Sequence, residues 1–331
     1  MNRQKILLIL FFAGLVFSAC EENSWVVPEK PSEVAMLFAP LRSTNAVNDT
    51  NNLAAEYNIV NLHVFLTNPG SPTVTNKFIN QAFTSANDTT ILNSQWVTLP
   101  LDPSTLTNKD IYVIANCDDV ASLDAVQTVS DIQALKTPQA TAAAGLTTAR
   151  GLPMYGQFLN ANLITSTTAN PLTVMLTRTC AKMRVTLTFT GASYVGSNNT
   201  FAIENAAAYT YYVKNDTFKI ATSNLVNYPQ MTFTQNTAQQ FQAITYVYES
   251  LQLPRLHLYT TLNGTRTEFI ASANFPLPVR NYLYDIQIQI LPQLAAAGAP
   301  VARSNNGNTA WTAVVTVRTE DPAIFSNICH P

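Results

Sequence analysis

The sequence predicts an all-β protein. Three observations carry that expectation: short stretches in which apolar and polar residues alternate, an Asn-Gly pair between two of them, and scarce charge. Met183, Val185, Leu187 and Phe189 alternate with Lys182, Arg184, Thr186 and Thr188, the period of a strand with one buried face. Tyr282, Tyr284, Ile286, Ile288 and Ile290 repeat the pattern over a longer stretch. Asn263-Gly264 separates Leu256–Leu262 from Thr267–Ala271, and such a pair suits a two-residue hairpin because a type I′ turn needs positive φ at both central positions. Of 331 residues, 47% are apolar and 11% charged, so the polar surface falls to Asn, Thr, Ser and Gln. A net charge of −2 gives no clustered Lys/Arg footprint for a nucleic acid.

The chain opens on an export signal. Arg3 and Lys5 precede an apolar core, Ile6 to Val16, too short to span a bilayer comfortably. Phe17-Ser18-Ala19-Cys20 follows, small residues before a cysteine as in a bacterial lipoprotein signal, so residues 1–20 are predicted to form a lipoprotein signal in which Cys20 is lipidated and becomes the new N-terminus. Residues 21–32 form a polar tether that begins with Glu21-Glu22. Glu33 to Leu41 is an apolar run of the length of a fully buried strand, ended by Arg42. Residues 43–55 are polar and loop-like.

Strand signals then recur. Val60, Leu62, Val64 and Leu66 alternate with Asn61, His63 and Phe65; Trp96–Leu99 is short and apolar; Ile111–Asn116 reads as a buried strand. Residues 121–127 and 130–136 predict two short helices, the second capped by Ser130-Asp131. The Ala/Thr stretch at 140–148 reads as a loop and Leu172–Arg178 as a strand. Beyond the alternating run at 182–189, Ile244, Tyr246 and Tyr248 alternate too. Residues 291–310 read as a flexible connector, after which Ala310–Arg318 is a strong strand set apart from the preceding core. Many short strands separated by turns argue for β-sandwiches. The total is long for one sandwich, so the chain divides near 180, into 21–180 and 181–331.

Catalysis finds no support. His63, His257 and His330 are scattered, and the first two sit in strand patterns, where they are expected to face outward or be half-buried. No HExxH, Gly-x-Ser-x-Gly, P-loop or dinucleotide fingerprint occurs. The acidic residues show no catalytic pairing. The expectation is a protein that is not an enzyme and uses no cofactor or metal. Beyond Cys20 the cysteines are Cys117, Cys180 and Cys329, without CxxC spacing. Cys117 and Cys180 read either as buried small hydrophobes or as a disulfide formed in an oxidising compartment. The tyrosines follow strand periodicity and suit packing better than a sugar-binding platform.

Several pieces taken in order carry a resemblance: the lipoprotein signal, the early strand ending at Arg42, Glu56-Tyr-Asn-Ile-Val-Asn-Leu-His-Val-Phe65, Ile111-Tyr-Val-Ile-Ala-Asn116, Leu152-Pro-Met-Tyr-Gly156, Leu176-Thr-Arg-Thr-Cys-Ala-Lys182 and Val279-Arg-Asn-Tyr-Leu-Tyr284. Together they resemble the fimbrillin family of Bacteroidales, the subunits of type V pili, over nearly the whole chain. The resemblance implies two transthyretin-like Greek-key β-sandwich domains with a few short helices. It implies a precursor exported to the outer membrane as a lipoprotein and cut by an arginine-specific protease after an arginine that closes the first strand. Arg42 matches, with Ser43 as the new N-terminus, and strand 33–42 would be lost. The groove so opened would be filled by the last strand of another subunit, residues 311–318, presenting Trp311, Ala313, Val315 and Val317 on one face. Such strand addition uses main-chain hydrogen bonds for affinity and alternate side chains for fit, and repeated head to tail it makes a filament. The implied role is a polymerising stalk subunit whose partners are other fimbrial subunits. An anchor or tip adhesin of the same family, and a glycan-binding surface lipoprotein, are the alternatives.

Overall fold

The computed structural model describes residues 33–40, 56–81, 84–85, 95–101, 106–146, 151–166, 170–190, 196–214, 224–271, 277–292, 301–304 and 311–320. Its first strands are β1 (Glu33–Pro40), β2 (Leu62–Thr67), β3 (Val74–Phe78), β4 (Thr84–Ser85), β5 (Gln95–Pro100) and β6 (Asn108–Ala115). Two short helices follow, α1 (Val120–Ala125) and α2 (Val129–Ala134), then β7 (Met154–Asn162) and β8 (Leu172–Arg178). The later strands are β9 (Cys180–Phe189), β10 (Ser197–Glu204), β11 (Ala206–Ala207), β12 (Leu225–Val226), β13 (Met231–Thr232), β14 (Thr234–Thr237) and β15 (Gln240–Tyr248). They continue with β16 (Arg255–Leu262), β17 (Thr265–Ala271), β18 (Leu283–Pro292), β19 (Val301–Ser304) and β20 (Trp311–Glu320). The protein is all-β.

The strands up to Arg178 form one eight-stranded sheet in the order β3-β2-β6-β7-β8-β1-β5-β4. Only Met154 and Tyr155 of β7 pair with β8, so the sheet folds over at this corner into two leaves. One core joins them: Val34, Met36 and Phe38 of β1, Val97 and Leu99 of β5 and Val174 and Leu176 of β8 pack with Leu62, Val64 and Leu66 of β2 and Ile111 and Val113 of β6. Every second residue contributes, as the strand period requires. From Cys180 onward the order is β13-β10-β16-β17-β19-β20-β18-β9-β15-β14. Its core takes Met183, Val185, Leu187 and Phe189 from β9 and Ile286, Ile288 and Ile290 from β18, against Phe201, Leu256, Leu258 and Phe269.

The Asn263-Gly264 hairpin forms as the sequence requires, with φ of 51° and 79° between fully registered β16 and β17. Elsewhere the structure corrects the sequence. Val60 is exposed and precedes the strand, which begins at Leu62 and is buried on both faces. The reason is a small third core in which α1 and α2 lay Leu123 and Ile132 over Phe65 and Ile114. Thr128, not Ser130, caps α2: its hydroxyl accepts from Asp131 N while the Asp131 carboxylate accepts from Thr128 N, a reciprocal box. The stretch at 291–310 is not all connector, because β18 runs to Pro292 and β19 lies within it. β20 does not stand apart, since it pairs with β18 from Leu283↔Glu320 to Pro292↔Trp311. β7 and β10 carry no clean alternation, and β3 places polar Asn76 between Val74 and Phe78 on its half-buried row, so none of the three was legible as a strand.

Candidate functional site

The first strand has an unusual seat for a segment at the start of the described chain. β1 is interior, parallel to β8 from Met36↔Leu172 to Pro40↔Leu176 and antiparallel to β5 from Glu33↔Pro100 to Phe38↔Gln95. Val34, Met36 and Phe38 point into the core, and Ala35, Leu37 and Ala39 on the other face are equally buried. That two-sided burial is why the sequence here is a continuous apolar run rather than an alternation. The Ser166 hydroxyl donates to Ala35 O and accepts from Leu172 N at 3.0 Å, tying β1 to the start of β8. Taking β1 away removes the ladder partner of both β5 and β8 and uncovers an apolar floor.

Just past the β1 end of β8 lies a buried charge cluster. Glu56 is fully buried. Its Oε2 accepts from Arg178 Nη1 at 2.5 Å, and its Oε1 accepts from Lys182 Nζ at 2.7 Å and from the Tyr246 hydroxyl at 2.8 Å. Arg178 Nε donates to Asn281 Oδ1 at 3.0 Å. Burial first, and then the Glu56 carboxylate, push the Tyr246 phenol above its ordinary range and keep it a donor. Arg178 ends β8, Lys182 lies in β9 and Tyr246 in β15, so the cluster ties the segment that follows β1 to both large sheets. Lys182, expected on the outer face of its strand, is thus buried, because Glu56 neutralises it there.

Segments 56–65, 111–116, 152–156, 176–182 and 279–284 meet around this junction. Asn116, at φ 60°, accepts from Val60 N at 2.8 Å and donates to Asn58 O at 2.8 Å and Leu152 O at 2.7 Å. Gly151 packs so close that an added Cβ would sit 2.2 Å from Asn58 O. Arg280 donates to Glu249 Oε2 at 2.7 Å, Tyr212 O at 2.7 Å and Tyr211 O at 3.1 Å. Their work is to hold the junction. Glu56 gave little signal in the sequence, being one acid beside a polar run, and Lys182 gave a misleading one, because its alternating strand pattern reads as outward-facing.

Of the residues singled out by sequence, Cys20, Arg42 and Ser43 lie outside the described residues, as do Cys329 and His330. Trp311, Ala313, Val315 and Val317 stand on β20 opposite Pro292, Ile290, Ile288 and Ile286. They are therefore registered against their own chain's core strand, and any transfer to another copy must first break that ladder.

His63, expected outward or half-buried, is fully buried. Its Nε2 lies 3.0 Å from Cys117 O and its Nδ1 accepts from Asn80 N at 3.1 Å, a structural role. Burial holds the imidazole below its usual range and so neutral. His257 is buried beside Glu204 at 2.9 Å and stacks on Tyr259. Cys117 and Cys180 are both free and buried, so the thiol alternative holds. Burial pushes the Cys180 thiol up to about 12. Among the described residues no group of His, Cys, Asp or Glu is placed to hold a metal ion, and no helix is long and apolar enough to cross a membrane.

Comparison with known proteins places this geometry. A family model described as the major fimbrial subunit protein (FimA) matches residues 33–240, from the first residue of β1 to the first of β15. The chain belongs to the FimA family. Membership places it among fimbrial subunits, proteins of the cell surface that associate with other fimbrial proteins. Solved structures share the fold. A candidate cell adhesion protein from Parabacteroides distasonis matches at a TM-score of 0.59 and 16% identity, over 88% of this chain and 98% of that one. Another from Bacteroides eggerthii matches at 0.55 and 16%, over 89% and 97%. The tip fimbrial protein Mfa3 from Porphyromonas gingivalis, with a C-terminal truncation, matches at 0.51 and 13%, over 87% and 99%. At such identities these neighbours speak to fold alone. No curated protein matches the chain.

Proposed function

We propose that this FimA-family chain is a structural stalk subunit that polymerises by protease-triggered strand exchange and has no catalytic role. The precursor is tethered to the outer membrane through a lipid on Cys20. An arginine-specific protease cuts between Arg42 and Ser43, β1 departs, and β20 of another copy occupies its place. One observation carries this reading: the first described segment supplies an interior strand, buried on both faces, whose removal leaves a strand-shaped apolar groove. An open edge of that kind templates pairing with another chain. The residues after β1 remain attached through Glu56, so loss of the strand need not release the rest. A second reading, an accessory tip subunit, is favoured by the ten-residue ladder that holds β20 against β18. A tip subunit would accept a strand and never donate one.

The test is limited digestion of the soluble precursor, residues 21–331, with an arginine-specific protease. The new N-terminus is read by mass spectrometry and the size on an unheated detergent gel. A start at Ser43 with a ladder of detergent-resistant oligomers supports the stalk. A start at Ser43 with a stable monomer supports the tip reading, and cutting elsewhere removes both.

A further inference from the structure

The sheet order singles out β5. Along β7-β8-β1-β5-β4, strands β5 and β4 reach the rest of their sheet through β1 alone. β1 is parallel to β8 and antiparallel to β5. β5 is therefore antiparallel to β8, and two such strands can pair without a third between them. The register suits as well. Met36 stands between Val97 and Leu172, Leu37 between Trp96 and Thr173, and Phe38 between Gln95 and Val174. A shift of β5 by one strand spacing, about 4.8 Å, would bring Val97 opposite Leu172. Val97 belongs to the first core and Leu172 packs against it, so both keep the face they already have. A one-residue slip would instead turn every side chain over.

We propose that a subunit that has lost β1 closes its own gap, β5 pairing directly with β8, and that this closed form competes with the strand of a second copy. The inference rests on the reading that β1 departs. Closure hides two free strand edges that would otherwise template indiscriminate pairing. It also sets the rate of assembly, because a site open only part of the time binds with an affinity reduced by the open fraction. One open molecule in ten weakens strand capture about tenfold. Growth then favours a donor already held next to the acceptor over one met in solution.

The test is a cysteine pair, Val97→Cys with Leu172→Cys, in a precursor that also carries Cys329→Ser. In the uncut protein β1 separates the two positions by two strand spacings, about 9–10 Å between Cα atoms. That exceeds the about 7 Å over which a disulfide can form, whereas closure brings them to about 5 Å. Under mild oxidation the uncut protein should stay uncrosslinked. After cutting and loss of residues 33–42 the crosslink should form in most molecules. The crosslinked form should fail to bind a synthetic peptide of residues 311–320, and reduction should restore binding. A folded, cut protein that has lost β1 and yet stays uncrosslinked overturns the proposal, as does a crosslinked form that binds the peptide unimpaired. Retention of β1 after cutting, seen by native mass, counts instead against the strand-exchange reading. Closure is then read in a chain beginning at Ser43, where crosslinking supports it and its absence overturns it.

Discussion

Phe38→Ala gives the sharpest view of what holds β1 in place. Phe38 is fully buried between Val174 of β8 and Gln95 of β5 in the register of the first sheet. Truncating a buried phenylalanine costs about 3–5 kcal/mol. In the uncut precursor β1 is covalently attached, so the loss appears as a lower midpoint in urea unfolding. In a protein cut after Arg42 only non-covalent contacts hold the strand. The same free energy then shifts its escape equilibrium roughly 100-fold to several-thousand-fold, at about 1.4 kcal/mol per decade. Native mass spectrometry of the cut protein over time reads the fraction that still carries residues 33–42. Leu253→Ala, at an exposed position with no pairing to β1, is the control and should leave release unchanged. If Phe38→Ala destabilises the precursor but the cut protein keeps its strand as wild type does, core packing is not what seats β1.

Further outcomes follow from the same structure. Glu56→Ala leaves Arg178 and Lys182 buried without their carboxylate and should destabilise the protein by about 3–5 kcal/mol in urea unfolding, whereas joint replacement of Glu56, Arg178 and Lys182 by Leu, Met and Met should recover most of that loss. Gly151→Ala, which drives a Cβ into Asn58 O at positive φ, should lower the thermal midpoint more than Gly264→Ala, whose turn is strained but open. The thiol of Cys180 rises from 9.0 to about 12 on folding, so the folded state binds the extra proton in that interval and stability falls as pH rises through it. Cys180→Ala should flatten that part of the stability–pH curve, over a background slope from the buried Tyr212, Tyr228, Tyr246 and Tyr248, whose phenols are raised likewise.

The fold class was legible because β16, β17 and β18 each bury one face and leave the other partly wet, which writes a period of two into the chain, while β9 keeps the same period by alternating apolar with polar residues although Lys182 and Thr186 of its polar row are buried. β1 was legible for the opposite reason, since burial on both faces makes an unbroken apolar run bounded by polar residues. β7 was not: its exposed Gln157, Phe158, Leu159 and Asn160 follow no alternation, because the strand runs free of β8 after Tyr155 and carries a bulge at Asn160. The buried charges were not legible. A lysine in an alternating strand reads as solvent-facing, and only the three-dimensional approach of Glu56, which lies more than a hundred residues away, reverses that reading. The place of β20 in its own sheet depends on pairing across a stretch that reads as linker, where no local pattern announces it.

The central claim is that the seat of β1 accepts β20 of another copy. Its most direct measurement is the binding of a fluorescent peptide of residues 311–320 to protein cut after Arg42 and freed of β1. The account predicts one peptide per chain, displacement by excess peptide of residues 33–40, and suppression of the oligomer ladder. Failure to bind, or equal binding to the uncut precursor whose seat is filled, would contradict it.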